Sequence, residues 1–122
     1  MAPMTDEIRG RIDSNLVEAR ESRARGDWGR CWQLLEDAHV LSQPWAWPHT
    51  RVHSAMLATG WRARDRQEVL GQALRLLVGG PASAFGRYPT GNTGRSQVPA
   101  KQRMPVRPDL AEMLQRADQS PS

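Results

Sequence analysis

Apolar residues recur at intervals of three and four through the first two thirds of the chain, which is the spacing of amphipathic helices. Breaks in this pattern coincide with residues that start or stop helices, namely capping Thr and Asp side chains, glycines and prolines. The four predicted helices lie between Thr5 and Gly26, between Asp27 and Pro44, from Pro48 to near Gly60, and between Asp65 and Gly79.

Short turns between consecutive helices place neighbouring helices antiparallel. We therefore predict an all-α domain over residues 1–79 that is built from two helical hairpins. Gly26 and Gly60 each close the first helix of a pair and lie about 34 residues apart, which is the tetratricopeptide period. The hairpins are accordingly predicted to be tetratricopeptide-like, with Leu70, Leu74 and Leu77 in the apolar stripe of the fourth helix.

Residues 80–122 form a Gly/Pro-rich tail. The tail is expected to be irregular up to about Arg107 and to pack back on the helices through apolar anchors such as Val98, Met104 and Val106. A short helix is predicted over about 108–117, because Pro108 suits the first turn of a helix and an amphipathic segment follows it. The tail would cover the end that two repeats alone leave exposed.

The composition of the chain indicates which disulfides, membrane contacts and partners to expect. The single cysteine, Cys31, excludes an internal disulfide and is expected to be a buried structural thiol. There is no signal peptide pattern and no apolar run of about 20 residues, so we expect a cytoplasmic protein without membrane contact. The net charge of +4 sits mostly in the tail and does not favour nucleic acid. A second copy of the chain, in a homodimer, or another protein is the candidate partner.

All three histidines of the chain lie between positions 39 and 53. His49 and His53 are four residues apart, and His39 follows Glu36 by three, so each pair shares one helix face. The segment Pro44-Trp45-Ala46-Trp47-Pro48 reverses the chain between them. Residues equally far from this turn should lie at the same height, with His39 opposite His49 and Glu36 opposite His53.

Imidazole nitrogens together with a carboxylate oxygen suit zinc, iron, nickel or copper. We therefore predict a transition-metal site with His39, His49, His53 and Glu36 as ligands, either mononuclear or shared across a dimer. Glu36 could instead orient one imidazole from outside the ligand set. A protein with such a site could be a metal carrier, a sensor or a small metalloenzyme.

Two other interpretations use the same residues. The histidines could form a buried polar cluster in a non-catalytic interaction module, or they could catalyse proton transfer without a metal. Converging imidazole nitrogens favour the metal, whereas rings that diverge or donate to backbone carbonyls favour the module. Catalysis requires an open cavity beside His53.

The tail also contains a segment rich in glycine, Gly86 to Arg95. Its Gly91-Asn92-Thr93-Gly94 stretch permits positive φ, so backbone N–H groups could cradle an anion beside Arg87 and Arg95. The alternative is a tight connection that fastens the tail to the helices.

Several short motifs occur together in this chain, namely Gly26-Asp27, Leu34 to His39, His49, Val52-His53, Met56-Leu57, Gly86-Arg87, Gly91 to Gly94 and Met104-Pro105. Taken together they resemble a small bacterial family, number 3703 among the domains of unknown function. The resemblance covers most of residues 20–115 and implies that the histidines and the Gly-Asn-Thr-Gly loop belong together. It implies no particular activity.

Overall fold

The computed structural model describes residues 2–84, 88–99 and 102–119, with side chains for 2–77, 88–99 and 102–119, and the regular secondary structure in these residues is entirely α-helical. This confirms the predicted all-α class. Within these residues no helix has both the length and the apolar composition needed to cross a bilayer. The helices are α1 (Asp6–Ala24), α2 (Trp28–Ser42), α3 (Ala46–Arg62), α4 (Arg66–Ala84) and α5 (Pro108–Gln119).

Side-chain caps explain where three of the helices begin. Thr5 accepts a hydrogen bond from the N–H of Ile8 at 3.2 Å. Asp27 and Asp65 accept from the N–H groups three residues further on, at 3.2 and 3.1 Å. Each cap satisfies a donor that has no partner within the helix, so the predicted starts of α1, α2 and α4 are confirmed.

The helices pair as two hairpins, α1 with α2 and α3 with α4, and α2 joins the hairpins by packing on α3. This arrangement confirms the predicted hairpins, whereas their tetratricopeptide character stays a prediction. α5 closes the core against α1 and α2 with Leu110, Met113 and Ala117. The buried apolar residues of α1, α2 and α3 include Ile8, Ile12, Ala19, Cys31, Leu35, Leu41, Val52 and Met56.

Two expectations about the fourth helix were wrong. The Gly79-Gly80-Pro81 segment was expected to stop α4, but the helix continues to Ala84. Within a helix a glycine costs about 1 kcal/mol and a proline about 3 kcal/mol, so these residues weaken the helix without ending it. Its leucines also face outwards, with Leu70, Leu74 and Leu77 exposed by 72, 64 and 77%. The inward face carries Glu68 and Gln72, which are polar but hydrogen-bonded inside the fold.

Residues 88–99, which we call the strap, contain no helix or strand and form hydrogen bonds with α2 and α4. Gln43, at the end of α2, holds the strap twice, donating to the Pro89 carbonyl at 2.8 Å and accepting from the Gly91 N–H at 3.0 Å. Arg75 of α4 donates to three further strap carbonyls, those of Gly94, Arg95 and Val98. The strap therefore fastens the tail to the helices, while Gly86 and Arg87 lie outside the described residues.

Candidate metal site

The three histidines meet where α2 ends and α3 begins. His39 lies in the last turn of α2, and His49 and His53 lie on successive turns of α3. The turn at Gln43–Trp45 brings these two helix ends side by side, as the sequence predicted. All three side chains are buried, with exposures of 3, 5 and 3%.

The Nε2 atoms of the three rings converge on one point. The distance from His39 Nε2 to His49 Nε2 is 2.9 Å, and His53 Nε2 lies 3.1 Å from each of the other two. Two nitrogens bonded to one ion at about 2.0–2.1 Å are about 2.9 Å apart at a 90° angle and about 3.3 Å apart at the tetrahedral angle. The triangle of nitrogens therefore has the size of three ligands on one metal ion.

The opposite nitrogen of His39 is committed to a hydrogen bond with the strap. His39 Nδ1 lies 2.6 Å from the backbone carbonyl oxygen of Asn92. A carbonyl oxygen can only accept, so Nδ1 carries the proton and Nε2 keeps its lone pair. The Asn92 side chain holds this part of the strap in place by donating to the carbonyls of Pro99 and Gln102 at 3.0 and 2.8 Å.

His53 is fixed in the same way from α4. Its Nδ1 lies 2.6 Å from Oε1 of Gln72. The amide nitrogen of Gln72 donates to Glu68 Oε2 at 3.1 Å and to the Gly94 carbonyl at 2.7 Å, which leaves Oε1 to accept from His53. His53 therefore also presents an unprotonated Nε2 to the cluster.

The carboxylate of Glu68 completes this chain of hydrogen bonds. It is 2% exposed and accepts from Nε of Arg95, whose guanidinium stacks on the Trp32 ring with 3.7 Å to the ring centroid. The buried negative charge is thus paired with a positive one, which limits its desolvation cost. Arg95, Glu68 and Gln72 form a continuous support for His53, in the manner of the outer partners of metal-bound histidines.

Burial keeps the three imidazoles neutral. It lowers the pKa of His39 well below its ordinary value, and the neighbouring rings of His53 and His49 lower it further. The same two causes, burial first and then His53, lower the pKa of His49 to about 3. Burial also lowers the pKa of His53 even though the bond to Gln72 opposes it. Neutral rings are the form that binds a metal.

Gly94 brings the strap into direct contact with the cluster. Its φ is +84°, a conformation that favours glycine. A Cβ at this position would lie 2.5 Å from Cδ2 and 2.8 Å from Nε2 of His39, so a larger residue has no room. The resemblance that grouped the Gly-Asn-Thr-Gly loop with the histidines agrees with this contact.

The structure brings together three of the four predicted ligands. His39, His49 and His53 form one group whose ligand atoms lie within 4.8 Å of one another. Glu36 does not join it, since its Oε2 lies 3.9 Å from Arg95 Nη1 at the edge of the strap. Arg95 attracts this carboxylate, and Gln72 takes the place beside His53 that the helix heights assigned to Glu36. Glu36 as a ligand stays a prediction.

Sequence reasoning missed the residues that support the histidines. Gln72 and Glu68 lie 19 and 15 residues after His53 in the sequence, and Asn92 lies 53 residues after His39. No spacing rule links positions so far apart. Two polar residues four apart on an apolar helix, Glu68 and Gln72, were the available signal. Cys31 is buried outside the group, and burial raises the pKa of its thiol, as a structural cysteine requires.

Comparison with known proteins gives a family and no relative of known activity. No curated protein and no solved structure matches the chain. Residues 6–114 match the family described as Protein of unknown function (DUF3703), which agrees with the resemblance noted in the sequence. The expected bacterial origin stays a prediction. Because the match covers most of the chain, the protein belongs to the DUF3703 family.

Proposed function

We propose that the protein binds one transition-metal ion through Nε2 of His39, His49 and His53. The observation that carries the proposal is the close approach of three Nε2 atoms, 2.9–3.1 Å apart, two of which cannot carry a proton. Imidazole nitrogens suit zinc, iron, nickel or copper, and a set of three leaves room for at least one further ligand.

The alternative, a purely structural polar cluster, explains the Nε2 contacts poorly. A hydrogen bond between His39 and His53 would need a proton on one Nε2, but both rings hold their proton on Nδ1. Their lone pairs would then face each other at 3.1 Å in a buried site. A bound cation converts this repulsion into attraction. In His39 the convergence and the bond to a backbone carbonyl are compatible, because Nε2 faces the other histidines while Nδ1 bonds the Asn92 carbonyl.

The burial of the site favours a resident ion over a catalytic centre. With ring exposures of only 3–5%, the histidines offer little surface to a substrate. A site closed by the strap is suited to holding an ion for structure, storage or sensing. We extend the proposal to the role of the protein as a carrier or a sensor of the metal ion.

A metal titration tests this function. Metal-stripped protein should bind one equivalent of Co²⁺, detected by the visible absorption bands that a nitrogen-bound cobalt ion acquires, and Zn²⁺ should displace it. A variant with His39, His49 and His53 all changed to Ala should bind none. Because the three alanines leave part of this buried site unfilled and could destabilise the fold, circular dichroism must show that the variant remains helical. Wild-type protein that takes up no cobalt while folded would refute the proposal.

A further inference from the structure

A groove of about 680 Å³ runs between α1 and α3, on a side of the bundle whose lining residues include none of the histidines. The two helices run in the same direction, since Asp13 and Arg51 meet at 3.0 Å near one end and Arg23 donates to Thr59 at 3.0 Å near the other. Leu35 of α2 contributes to the lining between them. From Asp13 to Arg23 the groove is about 15 Å long, at 1.5 Å per helical residue.

The end of the groove near the start of α3 is apolar and open. Val17 of α1 is 53% exposed and Trp47 of α3 is 73% exposed. Leu16 and Ala55 line the same space. Among the described residues that line this end, the charged ones are Asp13 and Arg51, and they are paired with each other. Large apolar side chains exposed along a concave surface are characteristic of a binding site.

The other end of the groove carries positive charges that are not paired with carboxylates. Arg20 and Arg23 line it, and Arg62 lies close enough to act on Arg23. Burial lowers the pKa of Arg23, and the charges of Arg62 and Arg20 lower it further. In the part of the chain that the structure describes, no carboxylate lies within ion-pair distance of any of these three guanidinium groups. Three clustered cations without an anion attract a negatively charged partner.

We propose that this groove binds an acidic peptide segment of another protein, with an apolar side chain against Val17 and Trp47 and carboxylates at Arg20 and Arg23. Guanidinium groups match carboxylates in geometry as well as in charge. A groove about 15 Å long accommodates four or five extended residues at about 3.3 Å each. The proposal does not depend on the metal site.

Charge argues for this occupant over two others. A second copy of the chain carries a net charge of +4 and does not complement the arginines. A nucleic acid would place phosphates along the whole groove, where Asp13 repels them and the apolar side chains of Leu16, Val17 and Ala55 offer them no hydrogen-bond donor. A peptide that is apolar at one end and acidic at the other complements both parts.

Fluorescence anisotropy with labelled synthetic peptides tests the proposal. The probes are peptides with two leucines followed by four glutamates, in both chain directions, and the control peptides carry glutamines in place of the glutamates. Binding should saturate for at least one direction, and the glutamine version should bind at least about tenfold more weakly, as expected for the loss of close charge pairs. Arg20→Glu should weaken binding by about tenfold or more, and Val17→Asp should also weaken it.

Arg103→Glu is the matched control, because Arg103 is an exposed arginine of the tail that does not line the groove. It makes the same change in net charge and should alter affinity less than about twofold. Equal losses for Arg20→Glu and Arg103→Glu would show a general charge effect and overturn the proposal. Absence of peptide binding to the wild-type protein, or tighter binding of a labelled single-stranded oligonucleotide at the same site, would overturn it as well.

Discussion

Nδ1 of His53 on α3 lies 2.6 Å from Oε1 of Gln72 on α4. This one hydrogen bond determines which nitrogen of His53 faces the other two histidines. It also links the cluster to the buried ion pair of Glu68 with Arg95, because Gln72 donates to Glu68. A histidine whose second nitrogen is oriented in this way is a better metal ligand than a freely rotating one.

Gln72→Leu should weaken metal binding while leaving all three ligands in place. Loss of the acceptor for His53 Nδ1 frees the ring to rotate or to change tautomer, and such outer-partner losses reduce affinity by about 10–100-fold. Competition with a chromophoric chelator measures the change. Gln67→Leu is the control, since Gln67 is exposed on the same helix. Equal affinities for Gln72→Leu and wild type would show that Gln72 does not position His53.

Gly94→Ala should disturb both stability and the site. The new Cβ would lie 2.5 Å from the His39 ring, on a backbone with φ of +84°. The positive φ alone costs about 1–2 kcal/mol, and the displaced ring should add to the loss. Chemical denaturation measures the free energy of unfolding. Gly10→Ala, in α1 with nothing within 4 Å of its Cβ, should instead stabilise the protein by about 0.5–1 kcal/mol. A neutral or stabilising Gly94→Ala would contradict the contact with His39.

The metal-free protein should lose stability as the pH falls below about 6.5, the ordinary pKa of histidine. Burial lowers the pKa of all three histidines in the folded state, to about 3 for His49. The unfolded chain therefore binds more protons in this range, so stability is full above pH 6.5 and falls as the pH decreases. Each histidine contributes up to about 1.4 kcal/mol per pH unit.

Thermal unfolding of chelator-treated protein from pH 8 to pH 4 measures this dependence. His49→Phe, which removes a titrating ring but retains an aromatic side chain, should show a shallower slope than wild type. Bound metal should delay the loss to lower pH, since protons must first displace it. A melting temperature that does not change between pH 7 and pH 5 would mean that the histidines are not buried in neutral form.

Glu36→Gln distinguishes the two positions available to the Glu36 carboxylate. The structure places it beside Arg95, with 3.9 Å between Oε2 and Nη1. If it stays there, the variant should bind metal with an affinity within about threefold of wild type, because the lost ion pair is a long one at 3.9 Å and does not involve a metal-binding nitrogen. A loss comparable to that of a histidine variant would instead make Glu36 a ligand, as the sequence suggested. Chelator competition measures both outcomes.

Local rules predicted the parts of the fold that depend on neighbouring residues. Helix spacing and the Trp/Pro turn placed His39, His49 and His53 together, and the caps at Thr5 and Asp65 fixed helix starts. The orientation of α4 could not be found in this way. Its leucines, such as Leu74, predicted an inward apolar face, but Leu74 is exposed and Gln72 faces inwards. Gln72 accepts a hydrogen bond from His53, 19 residues away in the sequence. Such long-range hydrogen bonds override the apolar pattern.

Elemental analysis of untagged protein, purified without metal resin or chelator, tests the central claim most directly. The account predicts about one transition-metal ion per chain, and none in the variant with all three histidines changed to Ala. Changing the exposed Arg103 to Ala should leave the metal content at the wild-type level. Folded wild-type protein that contains no metal, and that binds none when zinc, iron, nickel or copper is supplied, would contradict the assignment of His39, His49 and His53 as a metal site.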